Sequence, residues 1–498
     1  MAVTVTTSAP GPLGHGSGLR HQAASGARWT LLATIIAAGT QLLQVVVLAR
    51  LLEPREFGLM AMVLIVIGFA QAYTDLGISA AVVQRHDTTA AQLSSLYWLN
   101  LATGAVVCAL LWAVSPLVVR LFDEPQLTHL LRVLSLMFLI VPAGKQFEML
   151  LQREMRFRTL AAEGISGAVA GTIVAIGGAL SGWGVWSLVA GYLVTGVVRT
   201  LVLVVLGLRI HRPALHFRRA DLRGFVGFGA YQMGERTVNF ATQRLDQLIA
   251  GSLLSAVALG LYNFAFNLTA QPMSRINPDA TKVALPALSR VQESPERLRR
   301  GYLDMLRLIT IVNAPVLLGL AAVAPQLVPV VFGAQWLASV PLLQLLALVT
   351  LSRAIGNPMG SLMLARGRAD LGFWWAMAVG VLQAPCLYLS AREGGLVGMA
   401  GALLALQVLM QPIAYFLLVR PLLGPSGRGY VAAIARPLLL AGAMAAIVVA
   451  VGRLGDGQPS VLALGAQIGT GVVVFALGLL AFERHTLRDL RFLAVARG

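Results

Sequence analysis

With 498 residues, a formal net charge of +17, 57% hydrophobic residues and only 12% charged ones, the chain is too apolar for a water-soluble domain, in which the charged share is about 25%. Its basic balance does not indicate nucleic acid, because no RNA- or DNA-binding motif accompanies it and the arginines gather in connections between apolar runs. The two cysteines, Cys108 and Cys386, fall in separate apolar runs and imply no disulfide framework.

Residues 1–27, with Pro10, Gly11, Pro12, Gly14, Gly16 and Gly18, are expected to form a disordered cytoplasmic tail. They lack the apolar stretch and small-residue cleavage site of a secretory signal. Runs long enough to cross the hydrocarbon layer then follow at 28–51, 57–82, 94–121, 127–150, 160–180, 184–207, 224–251, 257–278, 302–323, 340–364, 371–390, 396–418, 430–452 and 461–482. The expected fold is therefore an all-α integral membrane protein with about 14 transmembrane helices. The pattern divides into an N-lobe of six spans at 28–207, a basic cytoplasmic linker at 208–223, a C-lobe of six spans at 224–418, and two additional C-terminal helices with a cytoplasmic tail at 419–498.

Orientation follows from the arginines. With a cytoplasmic N-terminus the inner connections hold Arg153, Arg156, Arg158, Arg209, Arg212, Arg218, Arg219, Arg223, Lys282, Arg290, Arg297, Arg299 and Arg300, with further arginines up to Arg497. The outer connections hold few: Arg50, Arg55, Arg120, Arg132, Arg392 and Arg453. The positive-inside rule thus places both termini in the cytoplasm of a multi-pass plasma (inner) membrane protein.

The two lobes are written alike. Thr40-Gln41, Leu51-Leu52 and Gly58-Leu59 recur in step as Thr242-Gln243, Leu253-Leu254 and Gly260-Leu261, and Pro116…Phe122 is echoed by Pro325…Phe332. Two copies of one unit in an apolar chain imply a pseudo-symmetric transporter with its site between the copies.

Polar residues inside the spans mark that site. At about 100° per residue, Gln232, Glu235, Arg236, Asn239, Gln243, Asp246 and Gln247 share one face of the seventh span. The matching face of the first span carries Thr30, Thr34, Gln41 and Gln44, polar but uncharged. The eighth span adds Asn263, Asn267, Gln271, Ser274, Asn277 and Arg275, with Pro272 and Pro278 interrupting it, and the tenth adds Arg353 and Asn357. Lys145 and Glu148 read as a snorkelling pair, Arg199 stays open, and Arg244 lies off the stripe, where it would reach headgroups or a neighbouring helix. The balance of Arg236, Arg275 and Arg353 against Asp75, Glu235 and Asp246 suits an anion, and guanidinium groups grip phosphate with two parallel hydrogen bonds. Expected substrate-binding residues are Arg236, Arg353, Arg275, Asn239, Gln243, Asn263, Asn267, Gln41 and Gln44. Burial and nearby charge make Asp75, Glu235 and Asp246 the expected ion-coupling residues. No metal or cofactor motif is present in the sequence.

The stretch Leu48-Ala49-Arg50-Leu51-Leu52-Glu53-Pro54-Arg55-Glu56-Phe57-Gly58, with Asp75-Leu76-Gly77, Leu245-Asp246-Gln247-Leu248-Ile249-Ala250-Gly251 and Gly260-Leu261-Tyr262-Asn263, resembles polysaccharide flippases of the Wzx type, in the multidrug/oligosaccharidyl-lipid/polysaccharide exporter superfamily. The resemblance covers about residues 28 to 480. It implies two six-helix lobes in a V, and translocation of undecaprenyl-diphosphate-linked oligosaccharide across the inner membrane for exopolysaccharide or lipopolysaccharide synthesis. Implied partners are lipid-linked oligosaccharide, membrane lipids, a polysaccharide polymerase and glycosyltransferases.

Two other classes remain open on residues alone. A multidrug or cation exporter would share the two-lobe design, with an acidic cavity in place of an arginine-rich one. A membrane enzyme of envelope polysaccharide synthesis is disfavoured, since His15, His21, His86, His129, His211, His216 and His485 all fall in tails or connections.

Overall fold

The computed structural model describes residues 15–74, 89–218, 240, 242–290, 294–454 and 459–482, and all regular structure among them is helical. In chain order the helices are α1 (His15–Leu51), α2 (Pro54–Thr74), α3 (Ala90–Phe122), α4 (Leu127–Ser135), α5 (Met137–Arg153), α6 (Phe157–Leu180) and α7 (Val185–Gly207). They continue with α8 (242–253), α9 (Ala256–Arg290), α10 (Pro295–Leu327), α11 (Val340–Ala365), α12 (Ala369–Ala414), α13 (Gly427–Leu454) and α14 (Val461–Phe482).

Local chemistry sets the starts and breaks. Thr89 and Gln92 exchange backbone-to-side-chain hydrogen bonds of 3.0 and 3.2 Å, a capping box that opens α3. Ser255 Oγ accepts the Ala258 amide to cap α9, Ser460 does the same for α14, and Pro54 and Pro295 sit in the first turns of α2 and α10. Within the spans, hydroxyls bond back to their own helix, as Thr40 does to Ile36, Thr195 to Gly191 and Thr310 to Leu306. Each is thereby satisfied where lipid offers no partner.

Eleven stretches among the described residues are long and apolar enough to span a bilayer. One of them, Asp370–Leu423, is 54 residues long and contains Gly395 at φ +58°, where helical geometry breaks. That glycine separates the expected spans at 371–390 and 396–418. The expected eighth span is helical within α9, yet its polar content keeps it out of the eleven. The seventh lies partly outside the described residues. The fourth span is two helices, α4 and α5, in one apolar stretch, Leu127–Arg153.

The first helix begins at His15, within the stretch 1–27 expected as a tail. Residues 1–14 lie outside the described residues.

The helices form two compact units. One comprises residues 1–48, 67–116 and 128–239; the other comprises 49–66, 117–127 and 240–498. In the first, α6 and α7 pack through small residues: a side chain at Gly171 would collide with Thr195 and the Gly191 carbonyl, and one at Gly191 with Ala175. In the second, Leu298, Tyr302 and Leu306 of α10 join Leu351 and Leu362 of α11, Tyr415, and Tyr430 and Ala441 of α13 in one buried cluster. Met444 and Val448 of α13 and Leu464 of α14 extend the packing to Ala322 and Val323. Large apolar side chains also point outward, including Leu462 (87% exposed), Leu439 (73%) and Trp374 (66%). A face of that kind is stable only against lipid.

Candidate functional site

In the second unit a carboxylate of α8 and a hydroxyl of α9 meet, with an arginine of α11 close by. Asp246 of α8 is wholly buried, and both of its carboxylate oxygens are engaged: Oδ1 accepts the Gln247 amide at 2.8 Å and Oδ2 accepts the Tyr262 hydroxyl of α9 at 2.8 Å. Tyr262 is buried too, and its ring stacks on Phe266 one turn along. Arg353 of α11 is half-buried and lies near enough for its charge to act on Tyr262. Among the described residues it has no carboxylate partner.

Local structure around Arg353 is irregular in a useful way. Pro358 lies inside α11 and cannot donate to the Ala354 carbonyl four residues earlier. Gln411 of α12 donates to the Ser352 carbonyl at 2.7 Å and clamps the turn that carries the arginine. Asn357, one turn on from Arg353, is also half-buried. The guanidinium is thus held on a fixed helix segment.

Other expected site residues divide between the two units. Asn263 and Asn267, on successive turns of α9, are linked by an amide hydrogen bond of 2.6 Å, with Asn267 exposed. Gln243 is exposed on α8. In the first unit Gln44 of α1 accepts the Thr172 hydroxyl of α6 at 2.9 Å, while Gln41 is exposed. Arg236, Asn239, Asp75 and Glu235 lie outside the described residues, as does the side chain of Arg275.

Of the two directions open to Arg244, headgroups or a neighbouring helix, its side chain takes the second, toward Phe266 of α9. Its guanidinium bonds Gln247 Oε1 at 2.9 Å and lies 5.9 and 5.8 Å from the ring centres of Phe240 and Phe266. Cation–π contact with one ring four residues earlier and one ring of α9 holds it against the protein. The Lys145–Glu148 pair is present at 3.0 Å, and Arg199, open on sequence, forms a two-point ion pair with Glu163 at 2.7 and 3.0 Å. Tyr262 is the residue that sequence reasoning passed over. Its signal was its place in Gly260-Leu261-Tyr262-Asn263, 16 positions beyond Asp246.

Among the described residues no group of His, Cys, Asp and Glu could hold a metal ion. The arrangement offers hydrogen-bonding amides, a buried and fully bonded carboxylate and a guanidinium without a carboxylate partner among the described residues, set in apolar helices.

A multi-pass membrane protein built this way shares its fold with the lipid II flippase MurJ in its inward closed conformation, at a TM-score of 0.72 and 14% sequence identity over 93% of this chain and 99% of that one. Residues 47–341 match the model of the family described as polysaccharide biosynthesis protein, and the chain belongs to that family. It is 35% identical to the lipopolysaccharide biosynthesis protein WzxC of Escherichia coli (strain K12), over 85% of this chain and 86% of that protein. It is 33% identical to the teichuronic acid biosynthesis protein TuaB of Bacillus subtilis (strain 168), over 86% and 88%.

Proposed function

We propose that the protein is a flippase that carries undecaprenyl-diphosphate-linked oligosaccharide repeat units across the inner membrane, for exopolysaccharide or lipopolysaccharide synthesis and without covalent chemistry. The observation that carries this reading is Arg353, a cation set mid-helix in an apolar span with no carboxylate partner among the described residues. A charge at that depth costs at least about 2.5 kcal/mol on insertion scales, so it is retained for a partner. Relatives named for the synthesis of lipopolysaccharide and teichuronic acid, and a fold shared with a lipid II flippase, favour an anionic lipid-linked sugar as that partner.

The physical task is to bring a diphosphate and its sugars through about 30 Å of hydrocarbon while the lipid tail stays in the bilayer. In this reading lobes at 28–207 and 224–418 alternate their opening, with both termini cytoplasmic. Arg353, Arg236 and Arg275 attract the diphosphate. Asn239, Gln243, Asn263, Asn267, Gln41 and Gln44 hydrogen-bond sugar or water, and Asp75, Glu235 or Asp246 couples the cycle to a proton or sodium gradient. A polymerase and glycosyltransferases act on the same lipid-linked oligosaccharide.

Proteoliposomes loaded with undecaprenyl-diphosphate oligosaccharides of defined structure test this directly. Protein-dependent appearance of the sugar on the opposite leaflet is expected. No transfer of any such lipid, together with export of organic cations by the same vesicles, would overturn it.

A further inference from the structure

Four helix ends of the second unit meet in two reciprocal exchanges. The first joins the C-terminal end of α1 to the π-helical turn Val328–Phe332 that prolongs α10. Arg50 donates from Nε to the Val331 carbonyl at 2.8 Å and from its terminal nitrogen to the Val330 carbonyl. In return Trp336 Nε1 donates to the Ala49 carbonyl at 2.8 Å, and Gln335 Nε2 donates to the carbonyls of Leu52, at 3.0 Å, and Ala49. The last carbonyls of a helix have no partner in their own ladder, and each end here satisfies those of the other. Arg50 also sets a cation where the helix dipole is negative. The Trp336 ring, wholly buried, is held between Phe264, stacked at 4.2 Å, and the edge of Phe57 at 5.1 Å.

The second exchange joins the first turns of α2 and α9 through the duplicated glycines. A Cβ at Gly58 would collide with the Ala256 carbonyl, and a Cβ at Gly260 with the Pro54 carbonyl, each four residues before the opposite glycine. The backbones therefore touch directly, and only glycine on both sides allows it.

We propose that these exchanges form the outer gate of the transport cycle, a latch made when the outer side is closed and broken when it opens; this rests on the flippase reading above. The chemistry suits a latch. Each cap is a single hydrogen bond of modest net strength, the glycine crossing adds only weak backbone contacts, and among the described residues no covalent link or carboxylate ion pair joins the two sets of helix ends. Such a closure is specific in register yet reversible at modest cost. In the orientation given by the arginine pattern, the connections that carry it, 52–53, 254–255 and 333–339, all lie on the outer side.

The test uses full-length protein with Cys108→Ala and Cys386→Ala and a reporter Leu52→Cys, at a residue that is 3% exposed. In right-side-out vesicles a membrane-impermeant maleimide should label the reporter slowly. Adding Arg50→Ala, or separately Gly58→Ala, should raise the labelling rate several-fold while the detergent-solubilised protein keeps its monodisperse elution. An unchanged rate in both variants overturns the latch. A second arm places Gln335→Cys beside the reporter and joins the two with a short reducible cross-linker. Linked protein should stop flipping the lipid-linked oligosaccharide and recover on reduction; flipping at the unlinked rate overturns the proposal. If no sample flips but Arg50→Ala still raises labelling, the latch stands and the flippase reading falls.

Discussion

Arg199 in the first unit and Arg353 in the second are both arginines within apolar helices, and their surroundings differ in one decisive way. Arg199 of α7 reaches across to α6 and grips both oxygens of Glu163, which is only 4% exposed, and Gly167 leaves room for its methylene stem to pass. Its charge is neutralised by contact. Near Arg353 the buried carboxylate is Asp246, whose oxygens are already taken by neutral donors, the Tyr262 hydroxyl and the Gln247 amide. One arginine is therefore committed to packing two helices, while the other has no carboxylate partner among the described residues.

The largest expected effect tests that contrast. Arg353→Ala should reduce flipping at least about tenfold in proteoliposomes, since a charge-assisted contact contributes roughly 1.5–3 kcal/mol, and the variant should still insert and elute as wild type. Arg353→Lys should recover part of the rate, because lysine restores charge without the two-point fork. Arg236→Ala, outside the described residues, is expected to match Arg353→Ala, and Arg299→Ala should remain near wild type. Normal flipping by Arg353→Ala would place that arginine with Arg199 as a packing residue.

Next in size is the pair that defines the first unit. Arg199→Gln leaves a buried Glu163 without its cation and should cost about 1–3 kcal/mol, read as a lower Tm in detergent. Flipping per folded molecule should be unchanged. A flipping defect without loss of Tm would reverse the assignment of roles.

Tyr262→Phe is expected to have a smaller effect than either. It removes the donor to Asp246 Oδ2 at a site closed to water, so about 1 kcal/mol or more of stability should go. Asp246→Asn in parallel asks whether the carboxylate also couples: an unchanged dependence of flipping on the ion gradient would leave Asp246 as a positioning group only.

Much of this was legible in the sequence, for reasons that also explain what was not. Span positions follow from apolar length, and the small set of intramembrane charges follows from their cost, so Asp246 and Arg353 stood out at once. Spacing says which face a residue occupies but not what reaches it from another helix. Tyr262 reads as an ordinary aromatic until α9 brings its hydroxyl to Asp246, and Arg199 could not be assigned until α6 supplied Glu163 from 36 positions away. The same limit hid the helix-end exchange, because Arg50, Gln335 and Trp336 are unremarkable singly and are joined only by backbone carbonyls, which leave no trace in side-chain pattern. Gly58 and Gly260 were visible as a repeat; that they touch was not.

The smallest expected effect concerns the connection after α7, where the comparison of satisfied and unsatisfied polar groups extends beyond the membrane. His211 is partly buried, its Nε2 has no hydrogen-bond partner among the described residues, and desolvation pushes its pKa below the ordinary imidazole value. The sign follows from proton binding. Below about pH 6.5 the unfolded chain takes up a proton that the folded chain resists, so this residue's contribution is intact at neutral pH and is lost as pH falls. Thermal unfolding in detergent between pH 7.5 and 5.5 should show wild type losing slightly more Tm than His211→Gln. Equal losses in the two proteins would mean that this imidazole is hydrated and titrates freely, and that burial at the C-terminal end of α7 is too loose to discriminate against charge.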